Sequence, residues 1–113
     1  MTDSERRIVV INGAGGALGG ALARQFAGEP RTDLVLSDVS DAALAATMAD
    51  LPEPRGAVET QIADVRDFAQ VEAVVHLALE RFGRLDVLIS NAGVLSPNGR
   101  IHNLATEDWE RAF

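Results

Sequence analysis

The 113-residue chain contains no cysteine, no tyrosine and no lysine; its ten basic side chains are all arginine. Without cysteine there is no disulfide framework, no thiolate nucleophile and no cysteine metal site. Without lysine there is no P-loop, and a mechanism that needs a phenol or an amine cannot run on this chain alone. Long hydrophobic runs are missing as well. No segment approaches the ~20 apolar residues of a membrane span. The start, "MTDSERR", is polar, and the apolar run behind it is too short for a signal peptide. A net charge of -7 with acids spread along the chain argues against a nucleic-acid or anionic-membrane partner. A cytoplasmic protein is expected. The length suits one domain at the lower end of the usual range, able to bury about two-thirds of its unfolded surface.

What is present alternates. Ile8 to Ile11 is a continuous β-branched run, suited to a strand buried on both faces. After a glycine-rich loop, Leu18, Ala21, Leu22 and Phe26 recur at helical spacing, and Gly28 and Pro30 close that helix. "DLVLSD" (33–38) reads as a second strand. Ser40 or Asp41 can cap the next helix, with Leu44, Met48 and Leu51 on one face and Pro52 and Pro54 ending it. Residues 57–63 place Val58, Thr60 and Ile62 against Glu59 and Gln61, as an edge strand does. Asp67 can cap a third helix with Phe68, Val71, Val75, Ala78 and Phe82 along one stripe, ended by Gly83. "LDVLIS" (85–90) is a fourth strand, and Thr106 can open a further helix. Strands alternating with helices require parallel pairing and crossover connections. The fold class expected is α/β, an open parallel doubly wound sheet with helices on both faces. No internal repeat or domain boundary interrupts it.

The loop "NGAGGALGG" (12–20) holds five glycines in nine residues. A tight turn needs one or two. The larger number points to a backbone that turns sharply and approaches a ligand closely, at a helix N-terminus whose free N–H groups favour a pyrophosphate. Nucleotide, flavin and S-adenosylmethionine sites all use such a loop. Asp38, at the end of the second strand, can accept from both hydroxyls of an adenosine ribose, or it can serve as a helix cap or solvated acid. It would repel a 2′-phosphate: at ~5 Å and an effective dielectric of ~20, each like charge costs about 3 kcal/mol. A nicotinamide dinucleotide here is therefore expected to be NAD rather than NADP. Asp64 ends the third strand and can either meet the adenine or cap the next helix with Asp67. His76 and His102 read as structural or solvated, and Trp109 as packing on the sheet.

Taken together, these residues resemble the short-chain dehydrogenase/reductase family. The matching pieces are "NGAGGALG", Asp38, "ADV" (63–65) and "GRLDVLISNAG" (83–93), with "ATEDWERAF" similar to the opening of the family's next helix. The resemblance runs over essentially the whole chain. It implies an NAD(P)-binding Rossmann fold truncated after the fourth strand, with residues 1–113 forming the N-terminal dinucleotide-binding half of a single domain and the catalytic and substrate-binding half absent. It further implies that the loop residues Gly13, Gly16, Leu18 and Gly19 hold the cofactor at its pyrophosphate, that Asp38 takes the adenine ribose and that Asp64 and Val65 flank the adenine. Asn91, Ala92 and Gly93 would line the cofactor and steady the sheet. A small-molecule substrate and a homo-oligomer are implied for the full-length enzyme, which would pass a hydride between NAD(H) and an alcohol or carbonyl.

The sequence departs from the family pattern in places. Asn12 stands where the loop usually begins with threonine, Ala17 replaces the middle glycine, and Ser90 replaces the first asparagine of Asn-Asn-Ala-Gly. Gly13, Gly16 and Gly19 also fit the Gly-x-x-Gly-x-x-Gly spacing of the extended subfamily. The family's catalytic tyrosine and lysine are absent, so no catalysis by this chain alone is expected. Two other readings remain open from sequence: an S-adenosylmethionine-dependent methyltransferase domain and a non-catalytic dinucleotide-binding module. Strand four, apolar on both faces, is expected at a sheet edge, where it would favour self-association.

Overall fold

A computed structural model of the chain describes residues 6–53 and 55–90. The order is β1 (Arg7–Asn12), α1 (Ala17–Ala27), β2 (Thr32–Asp38), α2 (Asp41–Ala49), β3 (Val58–Ile62), α3 (Phe68–Phe82) and β4 (Val87–Ser90). The expectations placed on Pro54, Asn91, Ala92, Gly93, His102, Thr106 and Trp109 lie outside the described residues. All pairings are parallel, and the strands lie in the order β3-β2-β1-β4. Two crossovers run outward from β1 to β3, and the third returns to lay β4 on the other side of β1.

That return sorts the helices. Val9, Ile11, Leu34 and Leu36 pack with Ala23, Ala27 and Leu44 on the face covered by α1 and α2. Ile8, Val10 and Val35 pack with Val74 and Ala78 on the face covered by α3. Successive residues of β1 thus enter opposite cores, so the strand reads as an unbroken apolar run, and each buried Val or Ile contributes about 1.5–3 kcal/mol. β3 lies at one edge, with Thr60 and Ile62 exposed. β4 lies at the other, with Val87, Leu88 and Ile89 half-buried.

Two helical stripes differ from the sequence reading. The buried side of α1 is Gly19, Gly20, Ala23 and Ala27, with Leu22 and Phe26 half-buried beside it, whereas Leu18 and Ala21 are exposed. At Gly19 nothing larger fits, because a Cβ there would lie 2.0 Å from the oxygen of Gly13 in the loop before the helix. On α3 the buried residues are Val74, Val75 and Ala78, while Phe68, the first residue of the helix, is 48% exposed. The caps follow expectation: the Ser40 side chain accepts from Ala43 N (3.1 Å) and that of Asp67 from Ala69 N (3.0 Å). Gly83 ends α3 in the left-handed conformation, φ 81°, that glycine adopts without strain.

Two carboxylates stitch the strand starts. Buried Asp33 accepts from Arg6 Nε (2.8 Å), Arg6 Nη2 (2.6 Å) and Ala57 N (2.9 Å), tying β2 to the entry of β3. Asp86 accepts from Ile8 N (2.8 Å) and from Arg84 at 3.1 and 2.6 Å, tying β1 to the entry of β4. Hydrogen bonds from Arg6 and Arg84 respectively hold both carboxyls below the usual carboxylate range. Their folded pKa values lie below the unfolded ones. The stabilisation is therefore present above the unfolded value near ~4 and is lost as pH falls through the folded values. In urea titrations, unfolding free energy should be flat above about pH 5 and decline below about pH 4. Asp33→Asn should lower the plateau by about 1–3 kcal/mol and flatten the acid decline; a pH profile identical to that of the unmutated protein would contradict this role.

Candidate functional site

Parallel strands bring all their carboxyl ends to one edge of the sheet, and β1 is the strand where the order turns back, between β2 and β4. In open α/β sheets a ligand binds outside the carboxyl ends at such a switch point. Here the glycine loop leaves β1 at that place.

The loop is pinned to its neighbours. Gly13 adopts φ 80°, which glycine alone tolerates readily. Gly13 N and Ala14 N both donate to Ser37 O at 2.9 Å. Gly15 N donates to Asp38 Oδ2 at 2.9 Å, and Gly16 N to Gly13 O at 3.2 Å. Ser37 Oγ donates to Asn12 Oδ1 at 2.6 Å, so the residue in the usual threonine position is bonded and buried. Gly16 is the N-cap of α1 and supplies no side-chain cap, and the first turn carries no acid. The N–H groups that open α1 therefore keep their partial positive charge, an arrangement suited to an anion.

Gly16 and Gly19 are glycine for different reasons. A Cβ on Gly19 would lie 2.0 Å from Gly13 O, a backbone atom with no room to move. A Cβ on Gly16 would meet nothing closer than 3.6 Å, and its φ of -82° suits any residue. The fold requires glycine at 19. At 16 neither backbone nor packing requires it, and the open space there is a cradle that a Cβ would partly fill. Gly15 is a third case: a Cβ would lie 2.7 Å from Ala43 Cβ and 2.9 Å from Asp38 Oδ2, so its absence lets α2 and Asp38 close over the loop.

Asp38 is half-buried; beside the Gly15 bond, its Oδ1 accepts from Ser40 N at 3.0 Å. One bond to each oxygen leaves each with further acceptor capacity. The side-chain cap of α2 belongs to Ser40, so Asp38 is not the cap. Asp64 likewise is not the side-chain cap of α3, which is Asp67. Its carboxylate holds Arg66 instead: Oδ1 accepts from Arg66 N (2.9 Å) and Nε (3.0 Å), Oδ2 from Nη2 (2.8 Å). The Arg66 guanidinium, and then the Arg66 N–H, hold the Asp64 pKa down at about 2. Val65 is half-buried beside it.

Sequence reasoning passed over Ser37 and Thr47, which also hold the loop. Thr47 Oγ1 on α2 donates to Ala14 O at 2.9 Å, and both residues are buried. Ser37 interrupts an apolar strand and Thr47 stands in an alanine-rich helix, which is the local signal each carries. Val39, directly after Asp38, is 60% exposed and Leu18 63%, two large apolar side chains on the same rim. His76 is exposed on α3, in keeping with a solvated side chain.

An open parallel α/β sheet with a glycine loop at its switch point is Rossmann-like. The chain matches the family model described as short chain dehydrogenase over residues 7–113, and it belongs to that family. Among curated relatives, levodione reductase of Leifsonia aquatica is 47% identical over 107 residues, 93% of this chain and 40% of that protein. A crystal structure of levodione reductase superposes with a TM-score of 0.73 at 39% identity, covering 96% of this chain and 42% of that one. A short chain dehydrogenase/reductase from Burkholderia phymatum in complex with NAD gives 0.67 at 38%, covering 78% and 31%. An actinorhodin polyketide ketoreductase with NADPH gives 0.72 at 28%, covering 81% and 34%. The chain thus spans about two-fifths of the length of the levodione reductase it matches. Family membership sets aside the methyl-transfer reading. No helix among the described residues is long and apolar enough to cross a membrane.

The two glycines separate experimentally. Gly19→Ala should lower unfolding free energy by about 1–3 kcal/mol or more, as over-packing against a fixed atom does. Gly16→Ala should stay within about 0.5 kcal/mol of the unmutated protein. Chemical denaturation of both variants checks this; equal losses would show that the loop packs as a unit and that Gly16 is structural.

Proposed function

We propose that this chain is the NAD-binding part of a short-chain dehydrogenase/reductase whose complete enzyme moves a hydride between NAD(H) and an alcohol or carbonyl of a small molecule. In the oxidative direction the alcohol carbon loses a hydride to the nicotinamide and its hydroxyl loses a proton, leaving a carbonyl. The observation that carries the proposal is the bond from Gly15 N to Asp38 Oδ2, which joins the glycine loop and the ribose-binding acid in one site. We assign the pyrophosphate to the loop of Gly13, Gly16 and Gly19, with the open cradle at Gly16 and the bare first turn of α1 in support. Leu18 would flank the cofactor at the mouth. Asp38 would accept from the adenine ribose hydroxyls with its spare capacity. Asp64 and Val65 would flank the adenine, with the remaining lone pair of Asp64 Oδ2 open to the exocyclic amine. Asn91, Ala92 and Gly93 would line the cofactor further along.

NAD is preferred over NADP because Asp38 presents negative charge where a 2′-phosphate would sit, and no ion pair to Asp38 occurs among the described residues. The chemistry of proton transfer belongs to the part of the domain that these residues do not include. The family-level expectation of a homo-oligomer acting on a small molecule in the cytoplasm goes with the same reading.

Fluorescence titration of the purified protein with NADH and NADPH tests the assignment. NADH should bind at least tenfold tighter, and Asp38→Ala should narrow that gap mainly by admitting NADPH, since a like-charge penalty of about 3 kcal/mol is removed. Equal affinities for both cofactors would remove the NAD preference, and no binding of either would remove the proposal.

A further inference from the structure

The peptide unit between Ala14 and Gly15 is held at both ends by side chains. Its carbonyl accepts from Thr47 Oγ1 at 2.9 Å, and its N–H donates to Asp38 Oδ2 at 2.9 Å. In a trans peptide these two groups point in opposite directions, so the two side chains grip the plane from opposite sides. We infer that Thr47 is a positioning residue for the dinucleotide loop, and that α2 through it fixes which way this peptide faces. The inference rests on the dinucleotide reading above and concerns a residue that touches no ligand.

Several features distinguish this from ordinary packing. A threonine inside a helix usually turns its hydroxyl to the carbonyl four residues back or to water. Thr47 leaves its own helix for an acceptor 33 residues earlier in the chain, and it is only 7% exposed. Its hydroxyl has room because the facing residue of α1 is Gly20: a Cβ there would lie 3.4 Å from Thr47 Oγ1. The neighbouring peptide is fixed separately, since Ala14 N donates to Ser37 O. Within the first part of the loop, the Ala14–Gly15 unit is therefore the one whose orientation depends on side chains at both ends.

Orientation matters because a peptide presents opposite partial charges on its two sides. With the carbonyl anchored to α2, this oxygen is kept away from the open cradle at Gly16, and an anion there meets the uncapped N–H groups that open α1 without a second carbonyl opposing it. Without the Thr47 hydroxyl, Ala14 O loses its buried partner, and the plane can turn toward the cradle to find water. A carbonyl there opposes a pyrophosphate. The acid proposed for the adenosine end, Asp38, meets this plane through Gly15 N but is held independently by Ser40 N, so adenosine binding depends on the plane less than the cradle does.

The test compares Thr47→Val with Thr47→Ser in the purified protein, reading NADH affinity by fluorescence and adenosine affinity by ligand-observed NMR. Thr47→Val should weaken NADH about tenfold, equivalent to ~1.4 kcal/mol, while adenosine moves less than about twofold. Thr47→Ser, which keeps the hydroxyl, should restore NADH binding to within about twofold. Thr47→Ala removes the same hydroxyl without placing a methyl against Ala14 O, and must show the same split if the valine variant fails to fold. Unchanged NADH affinity in both hydroxyl-free variants, or a parallel loss of NADH and adenosine, would overturn the inference. Failure of the dinucleotide reading itself would appear in the unmutated protein, as no NADH binding, and would overturn this inference with it.

Discussion

The approach of Gly19 to Gly13 governs the rest of the site. Helix α1 lies so near the loop that a Cβ at 19 would fall 2.0 Å from a backbone oxygen. That contact fixes where α1 begins, and the start of α1 fixes where its unpaired N–H groups point. The buried side of the helix is glycine and alanine, while Leu18 lies outside. Close packing without large side chains forfeits apolar area on this helix. The long side chains of β1 and β2, buried on both faces, supply what the helix does not.

The parallel sheet was legible because its signals are local. A run such as "RIVVI" announces a strand covered on both faces, and Ser40, Asp67 and Gly83 announce helix ends through their own backbone and side-chain chemistry. The hidden half of the structure depends on partners distant in sequence. Asp33 and Asp86 are read from sequence only as members of strands two and four, yet Asp33 bonds the backbone at the entry of β3 and Asp86 that of β1, 24 and 78 residues away. Thr47 and Ser37 are equally silent, since a hydroxyl declares nothing about an acceptor on another element. The stripe of α3 was displaced for a related reason: periodicity identified the helix, but Phe68 sits on its first turn, where spacing alone cannot say whether the sheet still extends beneath it.

At the candidate site the same division holds. Asp38 was readable from its position after a strand, and the structure removes the competing view of it as the cap of α2. Asp64 was readable only as far as its place after β3. Its hold on Arg66, two residues on, comes from a turn geometry that spacing does not reveal. That hold keeps Asp64 ionised far into acid and uses most of its acceptor capacity, so any adenine contact is restricted to one direction.

On the proposed dinucleotide reading, Asp38 would carry two tasks that charge alone does not separate. One oxygen helps set the loop through Gly15 N, and both retain capacity for a sugar. A side chain that admitted a 2′-phosphate by deleting the carboxylate would also release one end of the Ala14–Gly15 peptide, leaving Thr47 to hold the other. An asparagine would keep an oxygen for Gly15 N while removing the charge, but its amide nitrogen would then face Ser40 N, which would lose its acceptor. On that proposal the preference between two cofactors and the shape of the loop are linked through one carboxylate, and a chain that altered the first without an oxygen at this position would have to rebuild the second.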